Sequence, residues 1–384
     1  MTWVLALGLL LVLGCAAKQP AAPSSAGPKY GGRLKVAMGT SIPIFDSAYA
    51  SGMANLGIID LVSETLTKIN SDTGEVMPYL AESWTAEGNV WTIKLRKGVK
   101  FTDGTPFDAA AVKFNIERML DPATKALTRS TWTMIKSVDV VDPHTVRITT
   151  HEPFGPLMAQ LSYAPMGMNS PTQVQKLGNE NYHTAPVGTG PFKYVEHIKG
   201  DHTLLSRNDE YWGGKPYLDE VYVKPIPEAG ARVMALESGE VDVVFNVPPR
   251  DVPRLEQNPK IRVIQPPAQR TMHVGINVTR GPLKDKRVRQ ALNYAVDKQA
   301  IVDNIFLGKT YVSDAPVAKN VFGYHSTRVY NYDPEKAKAL LKEAGYPNGF
   351  SVTLTYSPGR FLMTEEVVQA IQNDLAKVGV KVTL

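Results

Sequence analysis

Residues 351–384 read SVTLTYSPGRFLMTEEVVQAIQNDLAKVGVKVTL, and their pattern decides the fold class. Val352, Leu354 and Tyr356 alternate with polar positions, the two-residue period of a strand. Val368, Ile371, Leu375 and Val378 then recur at helical spacing, and Gly379 closes that helix. Val380, Val382 and Leu384 alternate again. A strand, a helix and a second strand in succession make a right-handed crossover, which sets the two strands parallel in one sheet. The chain is therefore α/β. Its last residues fall in mid-strand on apolar side chains, whereas chain ends are commonly polar and frayed, so a truncated chain is expected.

The same grammar continues upstream. Asp333-Pro334-Glu335 starts a helix with an N-cap, a proline at the first helical position and an acid against the dipole. That helix buries Ala337, Leu340, Leu341 and Ala344 and stops at Gly345. Asp297 caps a helix carrying Ile301, Ile305 and Phe306, and Asp285 caps one with the stripe Val288, Ala291, Leu292 and Ala295. Ala229 to Ser238 forms a short helix followed by the strand Val241 to Phe245. Nearer the N-terminus, Leu34, Val36 and Met38 alternate with Arg33, Lys35 and Ala37 in a half-buried strand, as do Trp91, Ile93 and Leu95 with Thr92, Lys94 and Arg96. Asp142-Pro143-His144-Thr145 predicts a hairpin between Val138–Val141 and Val146–Thr149. A helix starting at Asp108 carries Val112, Ile116, Met119 and Leu120.

Composition excludes several functions. The 42 basic and 37 acidic side chains leave a net charge of only +5, and the densest basic run, Lys284 to Arg289, opens an amphipathic helix. A solvated helix face accounts for it, so no nucleic-acid partner is expected. One cysteine allows neither a disulfide framework nor a Cys-rich metal site. That cysteine, Cys15, follows the apolar run Trp3 to Gly14, too short for a bilayer span but suited to a secretory signal. Leu11-Val12-Leu13-Gly14-Cys15 resembles the lipobox of bacterial lipoproteins, although Leu13 is bulky for its place and no basic residue precedes the run. A plain signal peptide with an inert cysteine is the alternative; export follows from both. The Ala-, Pro- and Ser-rich residues 16–29 read as a flexible tether.

Several ordered blocks carry a family resemblance. They are Leu80-Ala81-Glu82-Ser83-Trp84 with Trp91 to Phe107, Pro186-Val187-Gly188-Thr189-Gly190-Pro191-Phe192, Arg207 to Asp219, Val288 to Ala295, and Asp333 to Ala337. In this order, from about Tyr30 to Leu384, the chain resembles the peptide- and nickel-binding branch (family 5) of the extracellular solute-binding proteins of ABC importers. The resemblance implies a two-lobed, type II periplasmic-binding-protein-like fold whose second lobe is incomplete here. It divides the chain into a signal and tether (1–29), a first lobe (30–70 and 188–271), an extra subdomain of that lobe (71–187) and a truncated second lobe (272–384). The strand around Met272 to Val278 would make the first crossing between lobes.

In open α/β sheets ligands bind beyond the carboxyl ends of strands, which selects three loops. The first offers Ser41, Phe45 and Tyr49, with Tyr49 matching a tyrosine that can face the family's ligand; Asp46 beside it is better explained as a helix N-cap. The second offers Tyr163 and Met166 as adaptable apolar walls. The third offers Tyr356 and Arg360, and Arg270 could hold a ligand carboxylate; surface charge explains the two arginines equally well. Gly188 and Gly190 have no phosphate-loop context and read as a turn, and Trp84, Trp91 and Trp212 as core. The expected function is capture of a small peptide and its delivery to ABC permease subunits, by a monomeric, cofactor-free, non-catalytic lipoprotein of the cell envelope touching the membrane through its anchor alone. A nickel chelate or glutathione is the alternative ligand. An anchored hydrolase is the alternative class, with neither a Gly-x-Ser-x-Gly elbow nor a helical His pair among the seven histidines to support it.

Overall fold

Alternation in Arg33–Met38 makes a strand, and the largest sheet is arranged around it. The computed structural model describes residues 29–41, 45–49, 57–266, 270–327, 330–358 and 361–384. In chain order the strands are β1 (Arg33–Met38), β2 (Thr67–Ile69), β3 (Val76–Pro78), β4 (Ala81–Glu87), β5 (Val90–Leu95), β6 (Ile135–Asp142) and β7 (Thr145–Thr150). There follow β8 (Phe192–Ile198), β9 (His202–Arg207), β10 (Glu220–Pro225), β11 (Val243–Val244), β12 (Phe350–Thr353) and β13 (Val380–Thr383).

The first sheet has the order β11-β1-β10-β9-β8, with β1 parallel to β10 and β11 and the other pairs antiparallel. Val36 and Met38 face a core with Phe45, Ile59 and Leu205. Ala37, expected on a solvent face, is fully buried against Ala235 and Val241. A strand with parallel neighbours on both sides is covered on both faces. Here the helix Ala229–Glu237 supplies the second cover, and a methyl is the side chain packed beneath it.

A second core sits on the antiparallel sheet β4-β5-β7-β6. The helix Ala109–Leu120 buries Val112, Ile116 and Met119 there against Ile93, Val138 and Ile148. Asp108 caps it as the sequence predicts, accepting from the Ala111 N–H at 2.9 Å. The hairpin of β6 and β7 is also present. A third core gathers the helices Lys286–Ala295, Pro334–Glu343 and Thr364–Ala376 on the parallel pair β12–β13, with Phe350 opposite Val380.

Three strands differ from their reading. β11 spans Val243–Val244 rather than Val241–Phe245, because only those two residues lie in register with β1. β12 ends at Thr353, although Leu354 still donates to the Thr383 carbonyl at 2.8 Å. Met272 to Val278 forms no strand: among the described residues nothing pairs with it, and Met272, Val274 and Val278 are exposed. Alternation yields a strand only where a neighbour completes the ladder.

Candidate functional site

β1, β10 and β11 point the same way, so their carboxyl ends share one edge of the sheet. Gly39–Ser41 follow β1, Ile226–Glu228 follow β10, and Phe245 and Asn246 follow β11. This edge is where an open α/β sheet receives a ligand.

The chain after β1 is tied down tightly. Ser41 is half-buried, but Phe45 is 1% exposed and its ring packs 5.2 Å from Tyr194. Phe45 is therefore a core side chain, which corrects its expectation as a ligand-binding residue. Asp46 is fully buried and closes a turn among the described residues: Oδ1 accepts from the Ala48 N–H at 2.9 Å, and the two oxygens take the Arg118 guanidinium at 3.0 and 2.6 Å. Arg118 lies on the helix Ala109–Leu120, so this ion pair pins the loop to the second core. Tyr49 is half-buried and donates its hydroxyl to the Thr124 carbonyl; burial, and then Asp46, hold its pKa above the usual value.

The structure brings the first two expected loops together. Ser47 Oγ donates to the Gly167 carbonyl at 3.2 Å and accepts from Asn169 Nδ2 at 2.7 Å. Tyr163 stands 43% exposed, whereas Met166 is fully buried in the second core. Met166 is thus a packing residue, a second correction, and follows the same rule as Phe45: a large apolar side chain gains about 1.5–3 kcal/mol by burial. Arg270 is exposed, with its guanidinium 5.5 Å from the Phe361 ring centre, and Tyr356 is half-buried. No hydrogen bond, ion pair or ring contact joins either to the first two loops among the described residues. Arg360 and Cys15 lie outside the described residues.

Beneath these loops sits a buried carboxylate that sequence reading did not single out. Glu64 is fully buried and accepts from Tyr79 and Tyr211 (2.5 Å) on Oε1, and from Trp212 Nε1 (2.7 Å) and Thr189 Oγ1 (2.8 Å) on Oε2. Burial, reinforced by Glu64, raises the Tyr79 and Tyr211 hydroxyl pKa values, so both stay protonated donors. Trp212, expected as plain core, serves here as a hydrogen-bond donor with Arg96 over its ring at 4.4 Å. The donors come from distant segments, and no local pattern around Glu64 marks it.

Asp60, four residues before Glu64, has a buried Oδ1 with no partner, and burial with the nearby Glu64 charge pushes its pKa to about 6, partly opposed by Lys68. Its folded pKa exceeds the ordinary 3.8, so its contribution to stability is present below that value and is lost as pH rises through 6. Asp60→Asn should match the wild type near pH 4 and be more stable by about 1 kcal/mol at pH 7, after discounting for partial exposure. Urea unfolding at both pH values checks this; equal stability at pH 7 would refute it.

Among the described residues no group of three His, Cys, Asp or Glu is placed to hold a metal ion, and no helix is long and apolar enough to cross a membrane.

Residues 75–384 match the family model of the bacterial extracellular solute-binding proteins, family 5, middle region. The glutathione-binding protein GsiB of Shigella flexneri is 37% identical over 306 residues, covering 79% of this chain and 59% of that protein. The chain thus spans 59% of the length of the curated relatives it matches first. DppA from Helicobacter pylori, solved in complex with the peptide STSA, superposes with a TM-score of 0.85 at 31% identity, over 92% of this chain and 73% of that one. AgaA from Agrobacterium tumefaciens R10, solved with agropinic acid, gives a TM-score of 0.81 at 31% identity, over 92% and 72%.

Proposed function

The chain belongs to family 5 of the bacterial extracellular solute-binding proteins, with their two-lobed α/β fold, and on that premise we propose that it captures a small peptide outside the cytoplasm and delivers it to an ABC-importer permease. The observation that carries this reading is the family match over residues 75–384. The relatives' names are those of binding proteins, and the protein returns its ligand unchanged rather than turning it over. Glutathione, itself a small peptide, is favoured within this class by the GsiB relatives. Both ligand types carry carboxylates.

The first sheet and its core form the first lobe (30–70 and 188–271), the β4–β7 sheet the extra subdomain (71–187), and the third core part of the second lobe (272–384). Ser41, Tyr49, Tyr163, Arg270, Tyr356 and Arg360 are the proposed ligand contacts. Cys15 is the proposed lipid anchor, holding a monomer at the cell envelope. A ligand that bridges the lobes favours the closed state by its differential affinity, and the permease reads that closed shape.

Two measurements test the proposal. Native mass spectrometry of the purified protein should show a co-purified peptide or glutathione, and a nickel chelate in its place would correct the ligand class. Small-angle scattering should show a smaller radius of gyration at saturating ligand; an unchanged radius would sink hinge closure.

A further inference from the structure

Two arginines are buried among the described residues, Arg118 at 6% and Arg232 at 5% exposure. Arg118 has its counter-charge, the bidentate Asp46. Arg232 has none: its hydrogen bonds go to main-chain carbonyls, Nη1 donating to Ile226 at 2.7 Å and Pro227 at 2.9 Å. The acid whose charge reaches it, Glu228, directs its carboxylate to the Ala231 N–H as the cap of the helix Ala229–Glu237. The residues outside the described set add no candidate, since 1–28, 42–44, 50–56, 267–269, 328–329 and 359–360 contain neither Asp nor Glu.

The place of this cation matters as much as its isolation. The two carbonyls it holds are at the carboxyl end of β10, and its guanidinium lies against Gly39 at the carboxyl end of β1. A Cβ at Gly39 would stand 3.2 Å from Nη1, so the glycine leaves room for the guanidinium. Nη1 is occupied, Nε is buried without a partner, and Nη2 makes no hydrogen bond among the described residues. The edge without a hydrogen-bond partner is therefore Nε–Nη2, the one that can give a carboxylate two parallel N–H bonds. Buried charges in folded proteins are otherwise paired, because an uncompensated one is strongly disfavoured.

We propose that Arg232 is a ligand-binding residue that receives a carboxylate of the captured molecule across its Nε–Nη2 edge, where β1 and β10 end. This rests on the capture function proposed above and narrows it: the ligand presents a carboxylate to the first sheet. Burial of the guanidinium, which works against its charge, is consistent with a site completed by an anion.

Calorimetric titration of the purified protein with the tetrapeptide Ser-Thr-Ser-Ala, its C-terminal amide and glutathione tests the assignment. The wild type should bind the free acid about ten- to a hundredfold more tightly than the amide, the worth of hydrogen bonds to a charged group. Arg232→Lys keeps the charge and a donor for the carbonyls but loses the fork. It should weaken the free acid by the same factor and leave the amide unchanged. Arg232→Gln, which also retains donors for the carbonyls, repeats the test in a neutral background and should do likewise. Equal affinity of the wild type for acid and amide would overturn the role of Arg232 while leaving capture intact. So would free-acid binding by Arg232→Lys at wild-type strength. Failure of the wild type to bind any of the three would count against the capture reading and this one together.

Discussion

Asp46→Ala should remove about 3–5 kcal/mol from the unfolding free energy, the usual result of deleting one partner of a buried ion pair. The substitution leaves the Arg118 guanidinium in place at 6% exposure. Its remaining contacts are Asn179 Oδ1 at 2.7 Å and the Tyr182 ring at 5.4 Å, and neither neutralises a charge. The Ala48 N–H also loses the carboxylate that caps it at 2.9 Å. Asp46→Ala combined with Arg118→Met should recover most of the loss, because exchanging a whole buried pair for apolar groups is often neutral. Urea unfolding of the two single variants and the double variant reads the coupling directly. A loss below about 1 kcal/mol for Asp46→Ala would mean that the loop reaches solvent and that the pair acts as a surface one. The consequence for binding follows from position: the pair holds the chain that carries Tyr49 and follows Ser41, so the same variant should weaken ligand capture.

The contrast between Asp46 and Asp108 shows what the sequence could reveal. Asp108 acts on a residue three positions away, and its cap is legible from the helical stripe that follows. Asp46 acts chiefly on Arg118, and the pair is formed only when the loop after β1 meets the helix Ala109–Leu120. Glu64 is the extreme case: its donors lie on three distant segments, at Tyr79, at Thr189 and at the adjacent Tyr211 and Trp212, so neither spacing nor composition could assemble them. The crossover of 351–384 was legible because it is local, with period and caps carried by consecutive residues. Ala37 and the segment Met272 to Val278 were misread for a related reason. Alternation reports which side chains share a face, but only the neighbouring chain decides whether that face is covered or the strand exists at all. Phe45 and Met166 point into the cores rather than outward, and a loop's inward and outward sides have no period to read.

Gly188→Ala and Gly190→Ala should each destabilise the protein by about 3 kcal/mol or more, the upper range for forcing atoms into a packed interior. The sequence suggested a turn, yet neither glycine has the positive φ that a turn glycine serves, and close approach is the reason for them. A Cβ on Gly188 would stand 2.0 Å from the Val62 carbonyl oxygen, and one on Gly190 2.4 Å from that of Leu61. Both obstacles are backbone, so no rotamer change relieves them. The Gly190 N–H donates to Val62 at 2.9 Å and the Phe192 N–H to Leu61 at 2.9 Å, so pushing the segments apart would also break these bonds. Between the glycines, Thr189 gives its hydroxyl to Glu64, and the Gly188 carbonyl accepts from Thr102 at 2.9 Å, joining the first sheet's core to the second. Gly155→Ala is the matched control: a Cβ there meets nothing within 4 Å, and its φ is not positive. It should change stability by no more than about 0.5 kcal/mol, or raise it by restricting the unfolded chain. Thermal and urea unfolding of the three variants side by side decides the matter: if Gly190→Ala behaves like Gly155→Ala, backbone contact is not what these glycines provide.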